Sequence, residues 1–295
     1  MSGAITFTLD LEDHRPDEQA ELRYPSVTRS ILEHLADRGI TGTFFVVGVV
    51  AEAEPGLVRD IAAAGHEVAL HGWRHIPLVE HTPDSMRDDI TRGKAFLEDL
   101  TGGPVVGYRA PTFSLVESTT WATDVLHDAG FTYSSSVLPT HNPLYGFPGA
   151  PGDPFLWPSG LAELPVPIAG AGRARVPYLG GTYLRLIPAP VIRRAHRQGG
   201  RRVPWTYMHP YDIDTAERYW KVPDAGWMSP LLWVGRRGVL TKLDGLLGAG
   251  DAAGGPLRDR LDEARRGGTF HPRTDVGAVT GTHEAATRST KESTT

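Results

Sequence analysis

Side chains suited to acid–base and metal chemistry follow four apolar, strand-like segments of the sequence. In chain order these groups are Asp10 with Glu12 and Asp13, His71 with His75, Arg109, and His209. In a β/α barrel such groups collect at the carboxyl ends of the strands, where active sites are built. One polar residue at a strand end is weak evidence, but four with complementary chemistry indicate a shared site.

The spacing of two histidines predicts a metal site. His71 and His75 are four residues apart, so a helical turn would place both imidazoles on one face; two surface histidines on a loop are the alternative. Asp10 and Glu12 alternate along a strand and therefore point the same way, while Asp13 lies just beyond. One carboxylate could complete a His-His-carboxylate site, and another could act as general base on water.

Two further residues could assist such chemistry. Arg109 could pair with a carboxylate and fix its orientation. His209 could act as a general acid that protonates a leaving amine. Taken alone, Arg109 is as typical of a structural ion pair, and His209 of a buried histidine with an internal partner.

The elements that must position these groups alternate between strand and helix. We predict strands at 4–9, 40–47, 67–70, 104–108, 131–133, 161–165, 178–183 and 205–208, and helices at 25–38, 55–65, 83–100, 118–129, 189–196, 231–247 and 257–266. This rhythm favours a parallel sheet or a β/α barrel. Residues 134–160 are rich in Pro and Gly and are predicted to form a long ordered loop.

Composition narrows the function classes. The chain of 295 residues has no cysteine, which excludes disulfides and thiolate chemistry and leaves His, Asp and Glu as metal ligands. Its net charge of −5 does not indicate a nucleic-acid partner. The second half is basic, and arginines cluster at 193–202, which predicts either a solvated surface or peripheral contact with an anionic membrane.

Membrane and targeting signals are weak. The longest apolar stretch, residues 44–51, is far shorter than the roughly 20 residues that span a bilayer. No leader is visible before the first predicted strand, so a cytoplasmic location is expected. Residues 272–295 are polar and small, and we predict that this tail is disordered.

The motifs, taken together, resemble a known family. The segments TLDLED, GTFFVVG, GHEVALHGWRH, GYRAPTFS and YMHPYDID occur in the order found in the polysaccharide deacetylases of the NodB-homology group, carbohydrate esterase family 4. The resemblance covers residues 4–215. It is strongest to the subgroup of exopolysaccharide and exosortase loci, which is similar to PuuE-like peptidoglycan deacetylases and allantoinases.

The resemblance implies an α/β fold, a distorted (β/α)7 barrel, in a catalytic domain over residues 1–271 with a helical extension at 216–271. It implies one divalent metal, usually zinc, with Co²⁺, Ni²⁺ or Mn²⁺ as other options, and an N-acetylated glycan as substrate. An amino-sugar polysaccharide or its precursor would lose its N-acetyl groups. By position, the family pattern assigns Asp10 as base, His71 and His75 as metal ligands, Arg109 as the residue that orients the base, and His209 as acid.

Other assignments stay open at the level of sequence. The family resemblance suggests Phe113, Leu138 and Trp205 as walls of an acetyl pocket. Leu11 interrupts the usual pair of adjacent aspartates, so either Glu12 or Asp13 completes the metal site. The partner of His209 is Asp212 or Asp214, and His14 stands where an aromatic residue is common. An allantoinase-like hydrolase of a small amide and a non-catalytic sugar-binding barrel are the alternative functions.

Overall fold

The computed structural model describes residues 3–170, 175–198, 203–222, 226–248, 250, 253–266, 268 and 270–272. Of the tail predicted at 272–295, all residues after 272 lie outside the described part of the chain. Arg201 and Arg202 of the basic cluster also lie outside them.

The centre of the molecule is one sheet of mostly parallel strands. Its strands are β1 (Phe7–Leu11), β2 (Gly42–Val46), β3 (Glu67–Leu70), β4 (Gly107–Tyr108), β5 (Tyr133–Ser134), β6 (Phe155–Leu156), β7 (Ala162–Glu163) and β8 (His271–Pro272). They are ordered β1-β2-β3-β4-β5-β7-β6-β8, and β6 runs antiparallel to β7. Residues 205–208 run parallel to β1 on its other edge, through bridges from Thr6 to Trp205 and from Leu9 to Met208.

Six parallel strands together with segment 205–208 give the seven parallel positions of the predicted (β/α)7 barrel within the described residues. The antiparallel β6 distorts it. The helices around it are α1 (Tyr24–Ala36), α2 (Gly48–Ala53), α3 (Pro55–Ala63), α4 (Pro83–Thr101), α5 (Ala122–Asp128), α6 (Gly181–Leu186), α7 (Ala189–Gln198), α8 (Pro210–Ile213), α9 (Val239–Leu247) and α10 (Leu257–Arg266).

Alternation along the strands sorts side chains into two cores. Leu9 and Leu11 of β1 face outward, where they join the apolar layer between sheet and helices. Thr8 lies on the opposite face, where its hydroxyl accepts a hydrogen bond from Arg109 inside the barrel. Asp10 shares that face with Thr8, because side chains two apart on a strand point the same way. The apolar pattern of β1 therefore directs Asp10 into the barrel.

Several predicted elements differ in the structure, among them the loop predicted at 134–160, which contains strand β6. The strand predicted at 178–183 is wrong, because residues 181–186 form helix α6. A Cβ atom at Gly181 would overlap the Asp212 carboxylate, so glycine lets the helix begin against that residue. The helix predicted at 231–247 is divided into 3₁₀ turns at Gly226–Leu232 and Arg236–Gly238 followed by α9, since Gly235 adopts a φ of +79°. The helix predicted at 118–129 begins as a 3₁₀ turn at Glu117–Thr119.

Candidate metal centre and active site

Three predicted ligands meet at the carboxyl ends of β1 and β3. One ligand atom each from Glu12, His71 and His75 lies within 4.8 Å of the others. The Nδ1 atom of His71 is 2.8 Å from the carbonyl oxygen of Arg109, so Nδ1–H donates there and Nε2 is left for a metal. This set of two imidazoles and one carboxylate fits a divalent metal with positions left open for water and substrate.

The loop after β3 brings the two histidines together without a helical turn. The structure corrects that expectation, because His75 adopts a φ of +59° and residues 71–75 form no helix. Asp89 of α4 holds the loop by accepting a hydrogen bond of 2.7 Å from the Trp73 N–H. The imidazole rings of His71 and His75 then lie 5.0 Å apart, edge to face.

Burial and neighbouring charges set the protonation of the cluster. Burial lowers the pKa of His71 to about 4, against the opposing charge of Asp10, and so favours the neutral imidazole that binds metals. Burial opposes ionisation of Glu12, but His75 and His209 outweigh it and hold the pKa of this carboxyl well below its usual range. Burial opposes protonation of His75, yet Glu12, whose Oε2 is 2.8 Å from His75 Nε2, raises its pKa.

Arg109 fixes the orientation of Asp10. It donates from an Nη atom to Asp10 Oδ1 at 2.5 Å and to Thr8 Oγ1 at 3.0 Å. Its guanidinium carbon is 3.8 Å from the ring centroid of Phe45 and 4.3 Å from that of Trp205. The pair is almost wholly buried, so Asp10 keeps its second oxygen, Oδ2, toward the cluster at 4.0 Å from His71 Nε2.

His209 faces the same space from the opposite side. Its Nε2 is 3.9 Å from Asp10 Oδ2 and 3.7 Å from Glu12 Oε1. Its Nδ1 is 3.0 Å from Asp212 Oδ2, whereas Asp214 is bound by Arg23 at 2.5 Å. Asp212 is therefore the partner that the sequence left open. Burial disfavours the charged imidazole, but Glu12, Asp212 and Asp10 outweigh it and raise the pKa of His209 to about 9.

The structure separates Asp13 from the metal cluster. Arg15 binds its carboxylate in a fork, with donor–acceptor distances of 2.9 Å from Nε and 2.7 Å from an Nη atom to Oδ2. The Asp13 side chain is 30% exposed at the rim of the site. Glu12, on the same side of the chain as Asp10, occupies the place among the histidines.

The three suggested pocket walls differ in position. Phe113 is half-buried, with its ring 4.9 Å from that of Tyr207. Trp205 and Leu138 are buried, so neither side chain lines an open surface. The ring of Trp205 instead packs against the guanidinium of Arg109. The ring of His14 lies 4.1 Å from that of Tyr211 at a tilt of 31°, and Tyr211 in turn stacks on His209 at 4.7 Å between ring centroids.

Two residues near His209 were missed or left undecided by sequence reasoning. The family's usual fourth-motif aspartate is absent from residues 133–136, where Ser135 instead accepts a hydrogen bond from Arg109. Asp212 is three residues after His209, and that spacing was the available signal. Arg185, whose Nε is 2.9 Å from Asp212 Oδ1, gave no sequence signal, because it lies far from Asp212 along the chain and meets it only in the folded protein.

Two regions of the chain match models of known protein families. Residues 5–134 match the polysaccharide deacetylase family model, and residues 135–251 match a family model described as a domain of unknown function, DUF3473. This match confirms the predicted resemblance of residues 5–134 to the polysaccharide deacetylases of the NodB-homology group, carbohydrate esterase family 4. The narrower exosortase and PuuE-like subgroup stays a prediction.

Individual relatives cover different parts of the chain. It is 30% identical over 108 residues to a peptidoglycan-N-acetylglucosamine deacetylase from Bacillus cereus, covering 37% of this chain and 45% of the relative. The chain spans less than half the length of the first curated relatives it matches. A solved structure from Mycobacterium smegmatis, provisionally identified as a polysaccharide deacetylase, is 25% identical with a TM-score of 0.62 and covers 92% of this chain and 93% of its own.

A more distant structure shares the fold alone. It is a carbohydrate esterase family 4 pseudoenzyme from Bacillus anthracis, 14% identical with a TM-score of 0.50, covering 89% of this chain and 66% of its own. Deacetylases of this family depend on a metal, in agreement with the cluster of Glu12, His71 and His75. Within the described part of the chain, no helix is both long and apolar enough to cross a membrane.

Proposed function

We propose that this protein is a metal-dependent hydrolase that removes N-acetyl groups from an amino-sugar polysaccharide or its precursor. One observation carries the proposal. A His-His-carboxylate set lies between a carboxylate held by arginine and a histidine held by aspartate. Metal ligands flanked by a base and an acid are what amide hydrolysis requires.

Glu12, His71 and His75 would hold the metal, for which we propose zinc because imidazole and carboxylate ligands in this number suit it. A bound divalent ion supplies Lewis acidity toward an amide carbonyl and toward water. Asp10 accepts the proton of the attacking water through Oδ2, because Oδ1 is committed to Arg109. The burial of Arg109 prevents the carboxylate from turning away.

His209 supplies the proton that the leaving amine requires. Its Nδ1 is committed to Asp212, so Nε2 carries the transferable proton toward the space it shares with Asp10. The carbon–nitrogen bond breaks, the amine leaves as a free amino sugar, and the acyl carbon leaves as acetate. The raised pKa of His209 favours the protonated acid at neutral pH.

The catalytic unit proposed at 1–271 draws on both regions matched by family models. Asp10 and Arg109 lie in the first region, while His209 and Asp212 lie in the second. We infer that neither region acts alone. Cytoplasmic location stays a prediction, as does peripheral membrane contact through residues 193–202, of which Arg193, Arg194 and Arg197 are exposed on α7.

The test measures acetate released from defined N-acetylglucosamine oligomers, with and without a chelator. We expect chelation to abolish release, and the variants Asp10→Asn and His209→Ala each to lower turnover by about 100- to 10,000-fold. Circular dichroism and bound metal verify that each variant is folded. A folded variant with wild-type turnover overturns the role of that residue, and cleavage of allantoin without acetate release favours the small-amide alternative.

A further inference from the structure

The carboxylate that orients His209 is itself held by a buried arginine. Asp212 accepts hydrogen bonds through Oδ2 from the backbone N–H of His209 at 2.9 Å and faces its Nδ1 at 3.0 Å. The other oxygen, Oδ1, forms a buried ion pair with Nε of Arg185 at 2.9 Å, without the alignment of a hydrogen bond. The side chains of Arg185 and Asp212 are 0% and 1% exposed, so water does not compete for either charge.

Arg185 is anchored on its remaining sides. One Nη atom donates to the carbonyl oxygens of Leu231, Leu232 and Val234 at 3.1, 2.6 and 3.2 Å. The other Nη atom donates to Thr182 Oγ1 at 3.0 Å within the same helix, α6. These hydrogen bonds fix the position of the guanidinium. The ion pair with the guanidinium then restrains the carboxylate of Asp212.

The backbone of α6 is built to allow this contact. Gly181 packs so closely on Asp212 that no other side chain could replace its hydrogen. Gly235, with a φ of +79°, lets the segment after Val234 turn back against the carbonyl of Arg185. Both glycines allow Arg185 to pair with Asp212, the partner of His209. Arg109 pairs in a similar way with Asp10.

We infer that Arg185 is a positioning residue that acts on catalysis through Asp212 and His209. This inference rests on the proposed function, in which His209 protonates the leaving amine. A carboxylate held only by His209 could rotate with the imidazole, whereas one held also by Arg185 fixes the direction of Nε2. The proton is then presented to the space beside Asp10 before substrate binds.

The test compares Arg185→Met with Arg236→Met. Arg236 is a matched control, because it too is buried and donates to the carbonyl of Leu232, but its carboxylate partner is Glu217 at 2.7 Å. We expect R185M to lower kcat for acetate release by about 10-fold or more with little change in KM, since a positioned general acid contributes about 100- to 10,000-fold. We expect R236M to change kcat by less than about 2-fold at a similar loss of thermal stability.

A double-mutant cycle with Asp212→Asn identifies the route of the effect. If Arg185 acts through Asp212, R185M adds little to the loss of kcat caused by D212N. R185K, which keeps the charge, is expected to recover part of kcat and takes the place of R185M if that variant does not fold. Equal loss of kcat in R185M and R236M, or fully multiplicative effects in the cycle, overturns the inference. If the proposed function itself is wrong, the wild-type protein releases no acetate, and this result distinguishes that case from an incorrect role for Arg185.

Discussion

The two ends of the barrel interior each contain buried ionisable groups, but those at the amino end are sealed by neutral donors and a helix, whereas several of those at the carboxyl end are partly exposed. At the amino end, Glu67 accepts hydrogen bonds from Thr43 at 2.7 Å, Tyr133 at 3.0 Å and the backbone of Arg258 at 3.1 Å. Helix α10 covers this end through Leu257, whose N–H donates to Thr43. Burial raises the pKa of Glu67, although the neutral donors around it oppose that shift.

At the carboxyl end, ligand atoms of several side chains converge on one space. Oδ2 of Asp10 lies 4.0 Å from Nε2 of His71 and 3.9 Å from Nε2 of His209. Glu12, His75 and His209 keep 16%, 33% and 18% of their side-chain surface exposed. A shifted pKa therefore occurs at both ends, and the site is distinguished by converging, partly exposed ligand atoms.

The largest expected effect is on metal affinity, which should depend on residues at the carboxyl end of the barrel and not on Glu67 at the amino end. Replacing Glu12 or His75 with Ala removes one of three converging ligands, so zinc affinity should fall by more than about 100-fold. Isothermal titration with zinc measures it, and the Glu67→Ala variant should bind zinc as the wild-type protein does. Retained affinity in Glu12→Ala would remove that carboxylate from the metal site.

The next effect is on stability at the amino end. Glu67→Ala leaves the hydroxyls of Thr43 and Tyr133 and the N–H of Arg258 without their acceptor in a buried place. We expect the free energy of unfolding to fall by about 3 to 5 kcal/mol. Urea unfolding measures the change, and acetate release per folded molecule should stay near the wild-type value. A large loss of activity in the folded variant would show that the two ends are coupled.

A pH effect of about 3 kcal/mol should also arise at the amino end. Burial lowers the pKa of His66 to about 4, and its Nδ1 accepts a hydrogen bond from the N–H of Gly42. The unfolded chain binds a proton near pH 6.5 and the folded chain only near pH 4, so stability is lost as pH falls through that window. Unfolding free energies of wild type and His66→Asn, measured from pH 7 to 4, should diverge by this amount. Parallel curves would contradict the assignment.

The smallest expected effect distinguishes the two acidic residues of the first motif. Asp13 pairs with Arg15 at the rim, and a partly exposed ion pair contributes about 0 to 1 kcal/mol. Asp13→Asn should therefore change zinc affinity and turnover by less than about 2-fold. A loss comparable to that of Glu12→Ala, in the same titration, would make Asp13 the third ligand.

Much of the barrel could be predicted from the sequence because its signals are local. The β3 segment was predicted with its observed bounds, and the periodic helix beginning at Pro83 ends within one residue of the prediction. Residues 178–183 were wrongly predicted as a strand, because the close approach of Gly181 to Asp212, against which helix α6 begins, depends on packing. Trp205 was placed in a pocket wall, but only the fold shows that it covers Arg109.

The sequence by itself determined which chemistry is available. Without cysteine, a metal site must use imidazole and carboxylate, and period-two alternation places Asp10 and Glu12 on the same side of one strand. Tertiary structure decided the partners. Arg15 withdraws Asp13 from the cluster, Asp212 rather than Asp214 holds His209, and Arg185 holds Asp212. Spacing along a chain fixes the face on which a side chain lies, whereas its partner depends on which distant segment packs against that face.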